Sequence, residues 1–360
     1  MSDLRYDQVA KIKVFGVGGA GCNAVNRMVA EDVKGVDFYV CNTDVQCLNS
    51  SSCQNKIILG KETTKGLGAG SNPEIGKKAA LESEEDLKSS IGDADMVFIA
   101  AGMGGGTGTG AAPVIAKLAK DAGCLTVGIV TKPFDFEGRK RNEQAISGLS
   151  QLKEYTDSLI IISNNQLLSV TGNMGIQEAF READNVLRQG VQTITDLIAV
   201  PAFINLDFAD VRTVMEGQGS ALIGIGMADG ENKSRVAAQK AIESPLLEAQ
   251  ISGAKNAIVN VTGGSNLSIN DASIAVNHIR EAAGSDLNVI FGVVTNEALD
   301  DSIIVTVIAT GFDLPKERTA QPVLNEPQET KITKHESYHE ESVMRNDNED
   351  SDIPSFFRTR

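Results

Sequence analysis

Six glycines lie within nine residues in the segment from Gly102 to Gly110, which has the sequence GMGGGTGTG. The apolar run from Met96 to Ala101 predicts a buried parallel strand before it, and residues Val114 to Ala122 predict a helix after it. Because glycine loses more backbone entropy on folding than other residues, this density indicates a chain that must turn sharply and approach something closely. Free N–H groups and the positive end of a helix dipole favour phosphate at such a junction. We therefore predict a phosphate site here.

A second glycine-rich junction lies near the start of the chain. Residues Lys11 to Val17 alternate as a strand does, the sequence GVGGAG follows from Gly16 to Gly21, and Cys22 to Val33 has helical spacing. These glycines satisfy the dinucleotide fingerprint GxGxxG, and Asp44 lies near the position of its ribose-binding acid. The Lys and Ser/Thr of a Walker A loop are lacking, which excludes that chemistry. An NAD-dependent oxidoreductase stays open on these residues alone.

A third glycine-rich loop, KGLGAGSNP, runs from Lys65 to Pro73. It follows a strand predicted at Asp37 to Cys41 and precedes a helix predicted from Pro73 to about Ser90. Three such loops exceed the need of a dinucleotide-binding fold. They fit one nucleotide held by several loops at the carboxyl edge of a parallel sheet.

Further elements must position these loops. Buried strands are predicted at Leu125 to Val130 and Ser158 to Ser163, and the first leads into the charged segment from Lys132 to Arg141. One long helical pattern runs from Gly175 to Ala199, where Pro201 ends it. At 1.5 Å per residue this helix spans about 35 Å, so it can bridge two domains.

Acidic and amide side chains cluster beyond the long helix, at Asn205, Asp207 and Asp210, in an expected loop. Helix capping by Asp207 or Asp210 is the alternative explanation for these acids. Residues 221–312 then predict the order strand, helix, strand, helix, strand, strand, which is a smaller α+β domain. Its strands are predicted at 256–261, 288–294 and 303–308.

Composition excludes several classes of protein. The net charge of -15 over 360 residues argues against a nucleic-acid-binding protein, because phosphate attraction needs clustered Lys and Arg. Only His278 lies outside the C-terminal tail, so a histidine-based zinc site or catalytic triad has too few residues. The cysteines are odd in number and lack metal-ligand spacing, and no secretory signal or bilayer-length apolar run is present. We therefore expect a cytoplasmic protein with reduced thiols.

The composition changes after Phe312, where apolar residues thin out and prolines recur. We predict a disordered linker from Asp313 to about Asp350, with a reach of about 35 Å. The chain ends in Asp352 to Arg360, with the sequence DIPSFFRTR. Apolar residues that return at the end of a polar tail indicate a short recognition peptide that orders on a partner.

Five motifs resemble the FtsZ family, the bacterial cell-division GTPases related to tubulin. They are GVGGAGCN at 16–23, GGGTGTG at 104–110, PFDFEGRKR at 133–141, NLDFAD at 205–210 and DIPSFFR at 352–358. GGGTGTG is specific to the tubulin superfamily, and the terminal peptide makes the similarity to FtsZ closer. The resemblance covers residues 11–312 throughout and leaves the linker unmatched.

The resemblance implies a tubulin-like α/β fold, in which a Rossmann-like parallel sheet is joined by a long central helix to a smaller α+β domain. The implied parts are a GTP-binding domain at 1–174, the connecting helix at 175–200, the α+β domain at 201–312, the linker at 313–350 and the recognition peptide at 351–360.

The resemblance also implies the residues that contact GTP or GDP. Ala69 and Gly70 would lie near the γ-phosphate, and Glu137 and Arg141 at the ribose. Asp184 would read guanine, because a carboxylate can accept from both N–H donors of that base and adenine offers no such pair. The remaining implied contacts are Gly19, Ala20, Gly21, Cys22 and Asn23, with Gly106, Thr107 and Gly108 on the phosphates and Gly104 and Gly105 beside them.

In this family the loop with Asn205, Asp207 and Asp210 serves the neighbouring subunit and completes the hydrolytic site when subunits stack head to tail. Within one subunit these acids would repel the nucleotide, whereas across an interface they can orient water and the Mg²⁺ that accompanies it. No residue is assigned as a metal ligand. Hydrolysis is then activated by polymerisation into an open filament.

The implied function is a GTPase whose filaments form the cytokinetic ring at mid-cell beneath the membrane. Membrane-adaptor and regulatory division proteins would bind Asp352 to Arg360, and neither nucleic acid nor direct membrane insertion is expected. A filament that positions plasmids or organelles is the alternative, and the terminal DIPSFFR argues against it. The oxidoreductase alternative leaves residues 102–110 and 205–210 unexplained.

Two residues depart from the family pattern. Ala202 follows Pro201 where relatives often have glycine, and Thr193 stands on the long helix where many relatives carry glycine. Both residues are expected near the cleft between that helix and the second domain. They are therefore expected to affect the flexibility of this cleft and its binding of inhibitors, and not the nucleotide site.

Overall fold

The computed structural model describes residues 10–171, 175–199, 207–244, 246–247, 251–284 and 286–312. All of these belong to one compact unit. The predicted linker, the terminal peptide, Asn205 and Ala202 lie outside the described residues. Within the described ranges, no helix is both long and apolar enough to cross a membrane.

The strands of this unit form one sheet, in the spatial order β3-β2-β1-β4-β5-β6-β7-β10-β8-β9. The first seven strands of that order pair in parallel, β10 pairs antiparallel with β7 and β8, and β8 pairs in parallel with β9. Their bounds are β1 Ile12–Val17, β2 Val36–Asn42, β3 Asn55–Ile58, β4 Met96–Gly102, β5 Leu125–Lys132, β6 Ser158–Ser163, β7 Gly219–Ala228, β8 Asn256–Gly263, β9 Asn288–Thr295 and β10 Ile303–Thr310.

Helices connect these strands and cover the sheet. Their bounds are α1 Gly18–Ala30, α2 Val45–Ser50, α3 Lys61–Thr64, α4 Pro73–Glu82, α5 Glu84–Ile91, α6 Thr107–Asp121, α7 Arg139–Tyr155, α8 Asn164–Thr171, α9 Ile176–Ala199, α10 Phe208–Met215, α11 Lys233–Ile242 and α12 Ile269–Ala283. Short 3₁₀ helices lie at Asp135–Glu137 and Glu297–Leu299.

Helices cover both faces of the parallel half of the sheet. Along β4, Phe98 packs into one core with Leu187 of α9, whereas its neighbour Val97 packs into another with Ile115 of α6. Successive side chains of a strand point to opposite faces, so an entirely apolar strand is buried on both. This explains why the central strands were predictable as continuous apolar runs.

The remaining strands and helices follow the predicted order of strand, helix, strand, helix, strand, strand, which is β7, α11, β8, α12, β9 and β10. β7 pairs with β6 from Ser158 and Gly219 onward, so the sheet continues into this part of the chain. Strands β8 to β10 enclose a separate core with α11 and α12. The fold is the mostly parallel α/β architecture that the sequence predicts.

Helices α1 and α6 begin earlier than expected. The sequence predicts helices from Cys22 and Val114, but they begin at Gly18 and Thr107. The second part of each glycine stretch is therefore helical. The prediction was wrong because glycine is a poor helix former, and its density favoured a loop.

Close packing explains these helical glycines. A Cβ at Gly110 would lie 2.0 Å from the carbonyl oxygen of Pro73, and one at Gly21 would lie 2.2 Å from that of Ala100. No side chain fits at such distances, so the tertiary contact outweighs the low helix propensity. Gly21 therefore allows α1 to pack closely against β4, and Gly110 allows α6 to pack closely against α4.

The single helix predicted from Pro73 to about Ser90 is divided at Ser83 into α4 and α5. The Ser83 hydroxyl donates to the Ile58 carbonyl at 3.3 Å and accepts from the Gly60 N–H at 3.0 Å. Serine side chains compete with helical hydrogen bonds in this way. The division ties α4 to the segment between β3 and α3.

Candidate nucleotide and catalytic sites

A cleft of about 200 Å³ opens where the carboxyl ends of parallel strands meet. Open α/β sheets bind ligands at this edge. Nine of the predicted nucleotide residues line the cleft together. Its lining comprises Gly19, Ala20, Gly102, Met103, Gly105, Gly106, Thr107, Gly108, Thr131, Pro133, Glu137, Arg141, Asn164, Phe180, Ala183 and Asp184.

Two helices point their amino ends into this cleft. α1 and α6 have no side-chain cap at Val17 and Gly106, and neither has an acidic residue in its first turn. The two ends pack together, because a Cβ at Gly18 would lie 2.9 Å from the Gly108 nitrogen. Uncapped N–H donors and two aligned helix dipoles create a positive potential without a lysine. Such an arrangement is suited to phosphate groups.

The threonines of the glycine-rich segment fix its shape. The Thr107 hydroxyl lies 2.6 Å from that of Thr43, and the Thr109 hydroxyl accepts from the Gly104 N–H at 2.8 Å. Thr109 is buried, so its hydroxyl is committed to the loop. Thr107 lines the cleft, where its hydroxyl can also face a ligand.

Glu137 and Arg141 form one wall of the cleft. Arg141 Nε lies 2.9 Å from Glu137 Oε2, and Glu137 Oε1 accepts from the Phe134 N–H at 2.8 Å. The carboxylate is therefore held in one orientation, with Arg141 half-buried beside it. Arg139, by contrast, is 92% exposed and pairs with Glu143, as a solvated helix start does.

Asp184 and Phe180 lie one turn apart on α9 and both line the cleft. Phe180 is 40% exposed, and its ring packs edge-on against Phe134 at 5.2 Å between centroids. Burial raises the pKa of Asp184 to about 7, and the charge of Arg27 opposes that shift. An aromatic face next to a carboxylate suits a planar base with N–H donors.

Asn164 lines the cleft although the sequence motifs do not indicate it. It is only 5% exposed, and its Oδ1 has no hydrogen-bond partner among the described residues. Buried polar groups are nearly always paired, so this oxygen indicates a ligand contact. Asn164 follows β6 directly, as the other loops follow their strands, and that position could have predicted it. Phe180 could have been found from its spacing of four residues before Asp184.

Three predicted residues at the start of α1 do not line the cleft. Gly21 and Cys22 are buried behind it, and the Cys22 thiol faces the Gly16 carbonyl at 3.7 Å. Asn23 is exposed on the helix. Gly21 and Cys22 can therefore affect a nucleotide only through the backbone and packing of α1. The Asn23 side chain could contact a ligand only from outside the cleft.

Ala69, Gly70 and Gly104 adjoin the cleft without lining it. A Cβ at Gly106 would lie 2.8 Å from that of Ala69, so the third glycine-rich loop packs on the second. Gly70 is exposed next to this contact. A Cβ at Gly104 would lie 2.7 Å from the Arg141 carbonyl oxygen.

Asp44 has a structural role that explains it without a dinucleotide. Its carboxylate caps α2 by accepting from the N–H groups of Gln46 at 2.8 Å and Cys47 at 3.4 Å. Capping is the usual role of aspartate immediately before a helix. The oxidoreductase alternative thereby loses its ribose-binding acid.

Asp207 and Asp210 are exposed at the start of α10, where the sequence predicts a loop. Asp207 caps this helix, since its Oδ1 accepts from the Asp210 N–H at 2.7 Å. The loop prediction was wrong for Asp210, which lies in the first turn, and the capping alternative is correct for Asp207. The strong local bond to a backbone N–H favours helix formation here.

Helix α10 lies at the opposite edge of the sheet from the cleft. Arg212 Nη2 donates to the carbonyl of Asp95, which precedes β4, and the Met215 carbonyl accepts from Ser158, the first residue of β6. The cleft begins where β4 ends, seven residues further on. At about 3.3 Å per residue, roughly 20 Å separates the two edges.

Thr193 lies at a second cleft, between α9 and strands β7 to β10, as the sequence predicts. This cleft measures about 460 Å³ and also contains Asp196 and Asn260. The Thr193 hydroxyl donates to the Gln189 carbonyl at 2.8 Å, so it is satisfied within its own helix. Burial raises the pKa of Asp196 to about 6.

Comparisons with known proteins agree with this arrangement. The model of the Tubulin/FtsZ family GTPase domain matches residues 11–172, and that of the FtsZ family C-terminal domain matches residues 219–313. An empty FtsZ dimer from M. jannaschii is 43% identical with a TM-score of 0.82, covering 84% of this chain and 88% of that chain.

Two further structures are similar. A mutant FtsZ from M. jannaschii is also 43% identical with a TM-score of 0.82, covering 84% of this chain and 91% of that chain. CetZ2 from Haloferax volcanii, a GTPγS-bound protofilament, is 20% identical with a TM-score of 0.71, covering 83% and 92% of the two chains, and supports the fold alone. The family models and the FtsZ structures together show that this chain belongs to the tubulin/FtsZ family of GTPases.

Proposed function

We propose that this chain is a self-assembling GTPase that hydrolyses GTP at the interface between subunits stacked head to tail. The separation of the cleft from the exposed acids carries this proposal. Asp207 and Asp210 belong to the helix end at the other edge of the sheet, where Arg212 contacts Asp95, roughly 20 Å from the cleft along β4. They cannot reach a nucleotide bound to their own subunit. A second subunit stacked on the cleft edge would bring its α10 to that nucleotide.

The nucleotide is proposed to lie along the cleft from phosphates to base. The uncapped amino ends of α1 and α6 would bind the phosphates, and Glu137 and Arg141 would flank the ribose. Guanine would stack against Phe180 and donate its N–H groups to Asp184. Asn164 Oδ1 would gain the partner that it lacks.

Mg²⁺ is proposed to enter with the nucleotide. Within the described ranges, no group of three or more His, Cys, Asp or Glu residues is arranged to hold a metal ion. A Mg²⁺ ion that accompanies a nucleotide takes most of its oxygen ligands from phosphates and water. When bound, it would neutralise charge that develops on the transferred phosphoryl group. The chain's own contribution is the Thr107 hydroxyl and the loop N–H groups around the phosphates.

Asp210 is the acid that we propose to orient the attacking water. Its carboxylate is exposed and makes no hydrogen bond with the described residues, whereas one oxygen of Asp207 is committed to capping α10. A general base must be within hydrogen-bond reach of water in the assembled site. Asp207 would contribute its second oxygen and hold the helix end in position.

Exposed apolar residues beside the cleft fit a stacked subunit. Leu67 is 85% exposed in the loop that packs on Gly106, and Phe136 is 63% exposed next to Glu137. Apolar side chains of this size near a site favour a contact surface. Because the cleft edge meets a different surface of the next subunit, the contact is heterologous and generates an open filament.

We further propose that these filaments form the cytokinetic ring and bind adaptor proteins through Asp352 to Arg360. The 43% identity to FtsZ and the terminal DIPSFFR sequence support this role over plasmid or organelle positioning. Deletion of residues 352–360 is expected to leave polymerisation intact and to abolish recruitment of the chain to the division site. Loss of filaments in that truncation would assign the tail to assembly instead.

The direct test of the proposed function is the rate of GTP hydrolysis per subunit against protein concentration, with Mg²⁺ present. A site shared between subunits predicts almost no turnover below a threshold concentration and a steady rate above it. Sedimentation of filaments should show the same threshold. An equal rate per subunit at every dilution would instead indicate a site complete within one chain.

A further inference from the structure

Two buried hydroxyl groups bind the carboxyl end of α10, the helix whose first turn carries Asp210. The Ser158 hydroxyl donates to the Met215 carbonyl at 2.6 Å. The Thr310 hydroxyl donates to the Val214 carbonyl at 2.8 Å. Both of these side chains are completely buried. Because the last carbonyls of a helix have no partner within it, the two hydroxyl groups satisfy acceptors that would otherwise be buried and unpaired.

The two hydroxyl groups come from different parts of the sheet. Ser158 is the first residue of β6, in the parallel half, where it pairs with Val127 of β5. Thr310 is the last residue of β10, which runs antiparallel to its neighbours, and it pairs with Asn256 of β8. The end of α10 is therefore bonded to both the parallel and the antiparallel part of the sheet.

The chain that leaves α10 is fixed by Asp157, a buried residue directly before β6. Its Oδ1 accepts from the Gly217 N–H at 3.3 Å, and its carbonyl accepts from the Gly219 N–H at 2.8 Å. Its Oδ2 accepts from the Thr126 N–H at 2.9 Å, in β5. The turn between α10 and β7 is thus bonded to the same edge of the sheet as the helix.

The packing of α10 leaves its carboxyl end little freedom. Val211, Val214 and Met215 are fully buried in the core, whereas Asp210 is exposed. A helix packed on one side cannot rotate freely about its axis, and the two hydroxyl bonds fix its carboxyl end. Asp210 lies roughly 6 to 8 Å along the axis from the bonded carbonyls, at 1.5 Å per residue. A tilt at that end would therefore displace the Asp210 carboxylate.

We propose that Ser158 and Thr310 are positioning residues that hold α10 so that Asp210 reaches the nucleotide of the neighbouring subunit. This inference rests on the proposed function. Without its hydroxyl partner a buried carbonyl is costly unless the helix end moves to reach water. A misplacement of about 1 Å in a catalytic site can cost a hundredfold in rate. Neither residue lines the cleft, so nucleotide binding by the same chain should be unaffected.

The first test separates GTP turnover from nucleotide binding in the full chain. Thr310→Val removes the hydroxyl and keeps the shape of the side chain. We expect at least about tenfold lower turnover per subunit in filaments, with unchanged affinity for fluorescent GDP. Thr310→Ser keeps the hydroxyl and should restore most of the turnover. Thr156→Val is the matched control, because the Thr156 hydroxyl donates to the Leu152 carbonyl at the end of α7, at 3.1 Å.

The control should hydrolyse GTP at the wild-type rate. Wild-type turnover in Thr310→Val, or an equal loss in Thr156→Val, would overturn the proposal. Ser158→Ala removes the other bond and should behave as Thr310→Val does, and it decides the question if Thr310→Val does not fold. Loss of filaments in both variants would assign these bonds to folding or assembly and would also overturn the positioning role.

The second test identifies which half of the shared site is damaged. Thr310→Val is copolymerised with Asp184→Ala, which keeps α10 but loses the carboxylate proposed to read guanine, or with Asp210→Ala, which keeps the cleft. A misplaced α10 predicts recovery of turnover with Asp184→Ala and none with Asp210→Ala, because only the first partner supplies an intact α10. The reverse pattern would place the damage in the cleft and overturn the proposal.

A mixture of Asp184→Ala with Asp210→Ala tests the proposed function separately. If this reference copolymer contains both variants and stays inactive, the shared site itself is contradicted. If it recovers turnover while the mixture of Thr310→Val with Asp184→Ala does not, only the positioning role of Thr310 is contradicted.

Discussion

The burial of Asp184 and its proposed contact with guanine favour opposite protonation states of its carboxyl group. Burial on α9 raises its pKa to about 7, which favours the neutral form in the absence of ligand. Only the ionised form can accept from both N–H donors of guanine. The proposed contact with guanine therefore couples nucleotide binding to the protonation of Asp184 near neutral pH.

The first prediction is that guanine nucleotide affinity rises with pH between 6 and 8. Below the pKa of Asp184, binding must release its proton, which weakens the affinity by up to about tenfold per pH unit. Titration with fluorescent GDP at constant ionic strength measures this dependence. Asp184→Asn should bind weakly at every pH, and a flat wild-type profile would contradict the assignment of Asp184 to guanine.

The second prediction concerns stability without nucleotide. Burial raises the pKa of Asp184 in the folded chain to about 7, well above the ordinary value of an aspartate, so its protonation favours the folded state and this stabilisation is lost as pH rises through about 7. Asp184→Asn should therefore raise Tm at pH 8 by roughly 2 to 4 °C. Thermal unfolding at pH 8 and pH 5 tests this, with Asp210→Asn as an exposed control. A lower Tm for Asp184→Asn at pH 8 would contradict the buried-charge explanation.

Sequence patterns predicted the charged cleft residues better than the neutral ones. Glu137 and Arg141 lie together as their motif implies, because an ion pair one helical turn apart is local in sequence. Asn164 and Phe180 were missed, because an amide or a phenyl ring is equally common in caps and cores. Their relevance depends on which surface they face, and the fold decides that.

Among the helices and strands, glycines set how closely α1 and α6 approach their neighbours. α6 packs on α4 at Gly110, where a Cβ would lie 2.0 Å from the Pro73 carbonyl oxygen and 2.5 Å from the Lys77 nitrogen. Both of these are backbone atoms of α4, and they cannot move aside as the end of a flexible side chain could. The close packing of α4 against α6 therefore requires Gly110, together with Gly76 of α4, where a Cβ would lie 2.3 Å from the Gly106 carbonyl oxygen.

The third prediction is that Gly110→Ala lowers the free energy of unfolding by about 1 to 3 kcal/mol, the usual cost of overpacking. Gly175→Ala is the matched control, because no atom lies within 4 Å of its Cβ position. Urea denaturation compares both with the wild type. Equal stability of Gly110→Ala and the control would show that α4 can shift away freely.

The strands were more predictable than the helix ends. β1, β4 and β5 are buried along nearly all their length, so their apolar runs are continuous in the sequence. The starts of α1 and α6 depend on contacts with β4 and α4, which no local pattern contains. The same holds for α10, where the capping by Asp207 is local but the orientation of the helix toward the sheet edge is not.

The cleft and α10 lie at opposite edges of the one sheet that runs through the described part of the chain. In the proposed function the cleft binds the nucleotide and the helix at the other edge supplies Asp207 and Asp210, so neither edge completes the hydrolytic site alone. The sequence could suggest this only through family resemblance, because the order of residues along the chain does not reveal which sheet edge each occupies.

The fourth prediction is that Leu67→Asp weakens assembly while leaving nucleotide binding unchanged. Leu67 is 85% exposed beside the cleft, so a charge there would be buried unpaired against a stacked subunit. Sedimentation should show a raised threshold concentration for filaments. Ile146→Asp is the control, because Ile146 is also apolar and exposed but lies on α7. It should leave the threshold unchanged. An unchanged threshold for Leu67→Asp would remove this loop from the interface.

The most direct test of a shared site is to mix two inactive variants. Asp210→Ala keeps the cleft but loses the acid that we propose to act in the neighbouring subunit, and alone it should hydrolyse GTP roughly a hundredfold more slowly. Asp184→Ala keeps the acid but loses guanine recognition. In an equal random copolymer about a quarter of the interfaces pair an intact cleft with an intact α10.

We predict that the mixture recovers up to about a quarter of wild-type turnover, although each variant alone is inactive. Differently labelled variants must be shown to sediment together under the same conditions. Recovery of activity would establish that Asp210 acts on the nucleotide of its neighbour. A copolymer that contains both variants and yet remains inactive would contradict a site shared between subunits.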